Sequence, residues 1–238
     1  MRETSEQYKR LLKNSAHIKR HRVFIAGREI PQAGGIEWLH TSADIFSKRI
    51  PTVGACVARQ INLCVHPEGD IPRMAEIRVE TQLVVMDLLT DTVLDESEWI
   101  PKGIFFIDTR RTNYETGAVT IHGYDAILKM EQPYLKDGEI LDEWPKTMPA
   151  VVAEVAERIG VSVDPRTMLQ DYLVELPIEY TIREVMGYIA AAHGGNWIIT
   201  DAGQLRIIPL GGLPPETFNL VTEDGDAITF GGVRIRVG

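Results

Sequence analysis

Over the first 134 residues the apolar positions recur with a period of two, and after residue 145 with a period near 3.6. The longest alternation runs from Val53 to Val65. Val53, Ala55, Val57, Ile61, Leu63 and Val65 share one face with a single charge, Arg59, while Gly54, Cys56, Ala58, Gln60, Asn62, Cys64 and His66 share the other. Side chains alternate across a strand, so the odd face predicts burial on a core. The small or polar even face predicts either a solvent face or the close approach of another sheet or subunit. Ala75, Ile77, Val79, Thr81, Leu83 and Val85 repeat the pattern against Glu76, Arg78, Glu80 and Gln82. Ile104–Ile107 is a continuous apolar run of β-formers, which suits a strand over Gly103–Asp108 buried on both faces. A further strand over Ala118–Gly123 sets Val119 and Ile121 against Thr120 and His122. The nine or ten residues between these two strands (TRRTNYETG) are long for a tight hairpin and predict a working loop. His21–Ile30 reads as a strand with a turn at Gly27, and Ile36–Leu39 as a short strand. Strands at this spacing, before any long helix, predict a β-barrel or sandwich over residues 21–134.

The rest of the pattern is helical or mixed. Thr4–Asn14 predicts a short helix with Tyr8, Leu11 and Leu12 as its stripe, inside an N-terminal arm of residues 1–20. After Gly123, Tyr124, Ile127 and Leu128 share a helical face. LKDGEILDEWPKTM reads as a linker. Thr147 then caps a helix that tolerates Pro149 in its first turn, carries Val151, Val152, Val155, Ala156 and Ile159 as its stripe, and ends at Gly160. Asp171–Leu176 reads as a strand. Thr181 and Glu184 form a capping box for a second helix, which Gly194 and Gly195 terminate. NWIIT and QLRIIPL flank Asp201–Gly203 as a hairpin. Residues 145–210 therefore predict a small α/β domain. Residues 211–238 predict two more strands around Glu223–Gly225, the start of further β-structure. The fold class expected is α+β.

Composition narrows the function. The 238 residues are 44% hydrophobic and 25% charged, ordinary values for a globular chain with a core of its own. No run reaches the ~18 apolar residues of a membrane span, and MRETSEQYKRLLKNS lacks the apolar centre of a secretory signal. A net charge of −9 disfavours diffuse nucleic-acid binding. Lys9, Arg10, Lys13, Lys19, Arg20 and Arg22 form a basic cluster that reads as a solvated face or as a contact for an acidic partner. On one continuous strand Cys56 and Cys64 would stand roughly 26 Å apart, too far for a disulfide, and their spacing matches no zinc site.

Chemistry-bearing patterns are sparse. Asp108, His122 and Asp125 could set a histidine between two carboxylates as a general base, but no nucleophile motif accompanies them. Glu154 with Glu157, or Glu98 with Asp108, would be needed for a sugar-cleaving pair. His193 follows a helix, where a positive ring would cap its C-terminus. The glycine pairs match no phosphate loop. No enzyme activity, cofactor or metal is expected, and binding by shape has to carry the function.

The segments Trp99–Gly103, Phe105–Asp108 and Ile121–Tyr134, continued through Thr181–Leu210, resemble the baseplate hub proteins of contractile and long-tailed phages and prophages. These include the tail-hub family of Gram-positive phages and phage-like tail particles. The resemblance covers roughly residues 45–238. It implies a structural protein whose tail-tube-like β-barrels assemble as a homotrimeric ring of approximate six-fold symmetry. Such a ring joins the tail tube to the tip or spike, with tube, distal-tail or tape-measure, and spike proteins as partners and no membrane. DNA would slide past an acidic wall, with candidates at Asp91–Glu98, Glu76 and Glu80. The contact residues expected are Gly54, Cys56, Ala58, Gln60 and Asn62 on the small-residue face, with Arg110, Arg111 and Tyr114 in the loop. A tail-associated cell-wall hydrolase is the alternative. The resembled proteins usually continue beyond such a final strand, so the chain reads as a short or a truncated version.

Overall fold

The computed structural model describes residues 4–46, 52–87, 89–135 and 144–210, and the backbone of four two-residue strands between 218 and 237. Alternation becomes one antiparallel sheet of eight strands. Its members are β1 (His17–Ile25), β2 (Arg28–Ile30), β3 (Ile36–Ser42), β4 (Gln60–Val65), β5 (Glu76–Asp87), β6 (Thr92–Glu96), β7 (Ile100–Thr112) and β8 (Val119–Tyr124). The order is β2-β1-β5-β7-β8-β4-β3, with β6 added to β5. Helix α1 (Glu6–Leu12), capped by the Ser5 hydroxyl, precedes the sheet and buries Leu11. A kinked turn, α2 (Gln32–Gly35), links β2 to β3.

Inward-facing residues of six strands make the first core. Val23, Ile61, Leu63, Val65, Ile77, Phe105 and Ile121 are all fully buried there. The alternation expected for Val119–His122 is borne out, with positions 119 and 121 buried and 120 exposed. Among the described residues the sheet does not close into the expected barrel. The cause is local. Strand β2 has three residues, and α2 then carries the chain over the core on Ile30 and Ile36 rather than through ladder bonds. The edge of β1 from His17 to Arg22, away from β5, and the outer edge of β3 have no strand against them among the described residues.

Three further expectations change. The Asp91–Glu98 loop is largely strand β6, paired with β5. The long loop after Asp108 is mostly ladder, since β7 runs to Thr112 and leaves a six-residue connection closed by Asn113 N–H donating to Ala118 O at 2.8 Å. The Val53–Val65 strand begins only at Gln60. Gly54 sits at φ +81°, which glycine adopts at little cost, and the backbone of the preceding segment bonds elsewhere.

The second core follows helical spacing. A 3₁₀ helix (Ala126–Met130) leads, beyond residues that are not described, to β9 (Lys146–Thr147) and α3 (Met148–Ile159). Then follow β10 (Leu173–Val174), α4 (Ile182–Ala192), and the hairpin of β11 (Gly195–Ile199) and β12 (Leu205–Pro209). The Thr147 hydroxyl caps α3, Gly160 ends it at φ +75°, and the expected stripe is buried. The capping box of α4 is complete: Glu184 N–H donates to Thr181 Oγ1 at 3.2 Å, and Thr181 N–H donates to Glu184 Oε2 at 2.8 Å. Asp171–Leu176 contributes only the two-residue β10. The hairpin turns through Asp201–Gly203 as expected, closed by Thr200 N–H donating to Gln204 O at 2.8 Å. Trp197 fills this core, fully buried, with its indole N–H donated to Met186 O at 2.8 Å. Toward the end, β13 (Phe218–Asn219) pairs with β16 (Arg236–Val237), and β14 (Thr229–Phe230) with β15 (Val233–Arg234). The Glu223–Gly225 turn and most of the linker lie outside the described residues.

Candidate interaction surface at the junction of the two cores

The segment from Thr52 to Arg59 ties the two cores together. Gly54 N–H donates to Gly195 O at 2.9 Å, Trp197 N–H to Ala55 O at 2.8 Å, and Val57 N–H to Trp197 O at 2.8 Å. Cys56 thereby bridges Trp197 in parallel. Its thiol is buried in the second core, which pushes its pKa up to about 12. A Cβ on Gly187 would stand 2.8 Å from Gly54 O, so glycine there allows α4 to touch the backbone. The expected contact face is therefore divided. Cys56 faces inward, Gly54 lies against α4, and Ala58 packs partly on the second core. Only Gln60 is exposed, while Asn62 is half-buried and bonds His122 Nδ1 at 2.7 Å. Of the two readings of the small even face, close approach holds at Gly54, Cys56 and Ala58, against another part of the same chain, and the solvent face holds at Gln60.

Arg110 and Arg111 pair with Ile121 and Thr120 of β8, three and four rows along from the Gln60–Tyr124 pair, about 10–13 Å at strand rise, and Tyr114 lies beyond them in the β7–β8 connection. Arg111 and Tyr114 are exposed, and Arg110 donates to Ile71 O. The eight contact residues thus spread from the contact with α4 along β4 and β8 to the β7–β8 connection.

Arg59, the one charge on the predicted apolar face, is the residue the junction is built on. It is 7% exposed, with its Nη1 2.7 Å from Asp201 Oδ1 at the hairpin tip. Its Nη2 donates to Lys102 O at 2.8 Å, and its backbone N–H donates to Asp125 Oδ2 at 2.9 Å. Asp125 also accepts Ile127 N–H at 3.0 Å, capping the 3₁₀ helix, and burial raises its pKa to about 6. Arg183 on α4 donates to Cys56 O at 2.8 Å and pairs with Glu131. Two clefts meet Arg59. One of about 630 Å³ is lined by Asp44, Asp201, Arg166 and Arg206, and one of about 420 Å³ opens between α1, β1 and β3. The signal in the sequence was Arg59 itself, a charge amid apolar alternation.

Most of the residues considered for catalysis are held by structural contacts. His122 bonds Asn62, Asp125 accepts two backbone N–H groups, and Asp108 sits exposed at a β-bulge. Glu154 pairs with Lys146 at 3.0 Å and with Arg158, and Glu98 accepts Ser5 N–H at 2.9 Å. His193 uses Nδ1 toward Ile189 O at 2.8 Å and accepts Gln170 N–H at Nε2, 2.9 Å. His193 is thereby the C-cap residue of α4, the capping role expected. Among the described residues no group of three or more His, Cys, Asp or Glu is placed to hold a metal. Cys56 and Cys64 are free thiols. The basic cluster is partly answered within the chain, with Arg10 on Asp95 at 2.6 Å and Arg22 on Glu80 at 2.5 Å. No helix among the described residues is long and apolar enough to cross a membrane.

No family profile and no curated protein matches the chain. The fold has counterparts among solved structures. The 43 kDa tail protein of prophage MuSo2 from Shewanella oneidensis superposes with a TM-score of 0.52 at 11% identity, over 84% of this chain and 58% of that one. A tail protein from Neisseria meningitidis MC58 gives 0.46 at 14% identity, over 85% and 54%. The chain spans a little over half the length of each.

Proposed function

We propose that the chain is a structural protein of a phage or prophage tail, made in the host cytoplasm and built into the virion as the baseplate hub. The observation that carries this reading is the fold shared with the MuSo2 tail protein, which agrees in kind with the sequence resemblance. In its finer form the proposal follows that resemblance to hubs of Gram-positive phages and phage-like particles. Three copies form a ring between the tail tube and the tip or spike, and DNA passes through without specific binding. The role is binding rather than catalysis, in keeping with the structural partners of His122, Asp125 and Glu154. Immunogold labelling of assembled tail particles tests the position. Label at the tube end next to the tip is expected. Label along the tube, or none on the particle, would overturn the proposal.

A further inference from the structure

The cleft of about 420 Å³ between α1, β1 and β3 gathers positive charge in an otherwise acidic chain. The cationic Lys19, Arg59 and Lys102 line it beside His21, and its single acid among the described lining residues, Asp201, is ion-paired with Arg59. Neither Lys19 nor Lys102 has an ion-pair partner among the described residues. Their charges act on His21, whose pKa burial and the two lysines hold below the ordinary histidine value. At the base of the cleft Arg59 is 7% exposed, yet its Nε has no hydrogen-bond partner among the described residues. Like charges gathered in a concave, partly apolar site raise the energy of the empty state and raise the local concentration of an anion. The backbone supplies a second requirement. The cleft lies where the sheet fails to close, between the open edges of β1 and β3. Leu39 and Tyr8 add apolar wall.

We propose that this cleft is a docking site for an acidic, extended polypeptide segment of a partner protein, whose carboxylates meet Lys19 and Lys102 while its backbone lies along the open sheet edge. Carboxylates answer the ammonium groups of Lys19 and Lys102, and an extended backbone suits the edges of β1 and β3 that have no strand against them among the described residues. A polyphosphate chain fits less well, because it offers no amide backbone to the strand edges and no side chains to the partly apolar walls. The proposal concerns the isolated chain and does not rest on the tail assignment.

The test uses a fluorescein-labelled six-residue peptide of alternating glutamate and threonine, followed by anisotropy. A peptide with glutamine for glutamate and a single-stranded hexanucleotide serve as controls. Saturable binding of the acidic peptide is expected, weaker by about tenfold or more in the Lys19→Glu/Lys102→Glu protein and for the glutamine peptide. Lys102→Met separates binding from folding. Relief of like-charge repulsion is expected to keep or raise its melting temperature while peptide binding falls. A lower melting temperature with unchanged binding would make Lys102 a structural residue and overturn the proposal. So would equal binding of both peptides, no binding at all, or preference for the hexanucleotide.

Discussion

The two cores of this chain were assembled by different rules. The sheet core takes every second residue of β1, β4, β5, β7 and β8, and each strand can be recognised alone. The α/β core takes stripes from α3 and α4 but also borrows Cys56, and it packs Phe106 of β7 against itself. Phe105 lies in one core and Phe106 against the other, so β7 is their shared wall. Two cores with a common wall and an interleaved segment should unfold as one unit, although their sequence patterns differ.

The largest expected effects test that point. Trp197→Ala and Phe105→Ala each remove a fully buried ring, at a cost of about 3–5 kcal/mol. Both should lower a single denaturation transition, with tryptophan fluorescence and far-UV circular dichroism coinciding. Two separate transitions would break the coupling.

Next comes Asp125, which sits between the cores. Its folded pKa of about 6 exceeds its unperturbed 3.8, so the folded state binds a proton more tightly. Its contribution is full below pH 3.8 and is lost as pH rises through 6, by up to about 3 kcal/mol. Asp125→Asn should flatten this part of the stability–pH curve measured by urea unfolding. Asp164 acts with the opposite sign. Arg166 holds its pKa near 2, so its contribution is present above pH 3.8 and is lost as pH falls through 2.

Smaller effects probe the contact between the two cores and the edge of one of them. Gly187→Ala puts a Cβ 2.8 Å from Gly54 O and should cost about 1–3 kcal/mol by thermal melting. Thr181→Ala removes the cap of α4, about 1 kcal/mol by the same measurement. Tyr114→Ala, at a 94% exposed position, should change stability by less than about 0.5 kcal/mol while weakening partner contact in a pull-down with the tail-tube protein.

Most local structure was legible because a single residue type decided it. Thr147, Gly160, Thr181, Glu184 and Gly203 each set a cap or turn that the structure shows. What escaped was long-range pairing. Val53–Arg59 alternates as a strand should, yet its backbone partners lie some 140 residues later, at Gly195 and Trp197. Nothing local distinguishes that from pairing with the next strand. Closure failed to read for a related reason, since it depends on whether β2 and β3, the two ends of the strand order, meet. Arg59 stood out by its charge, but its partners Asp201 and Lys102 are far in sequence. The clustering of Lys19, His21 and Lys102 appeared only once β1 and β7 were brought to one end of the sheet.

The central claim, a chain built to assemble as a ring, is tested most directly by mass in solution. Light scattering over a range of concentrations, alone and with the tail-tube protein, should find three copies of the 26.7 kDa chain, about 80 kDa before the partner is added. A 26.7 kDa monomer at every concentration, unchanged by the tube protein, would contradict it.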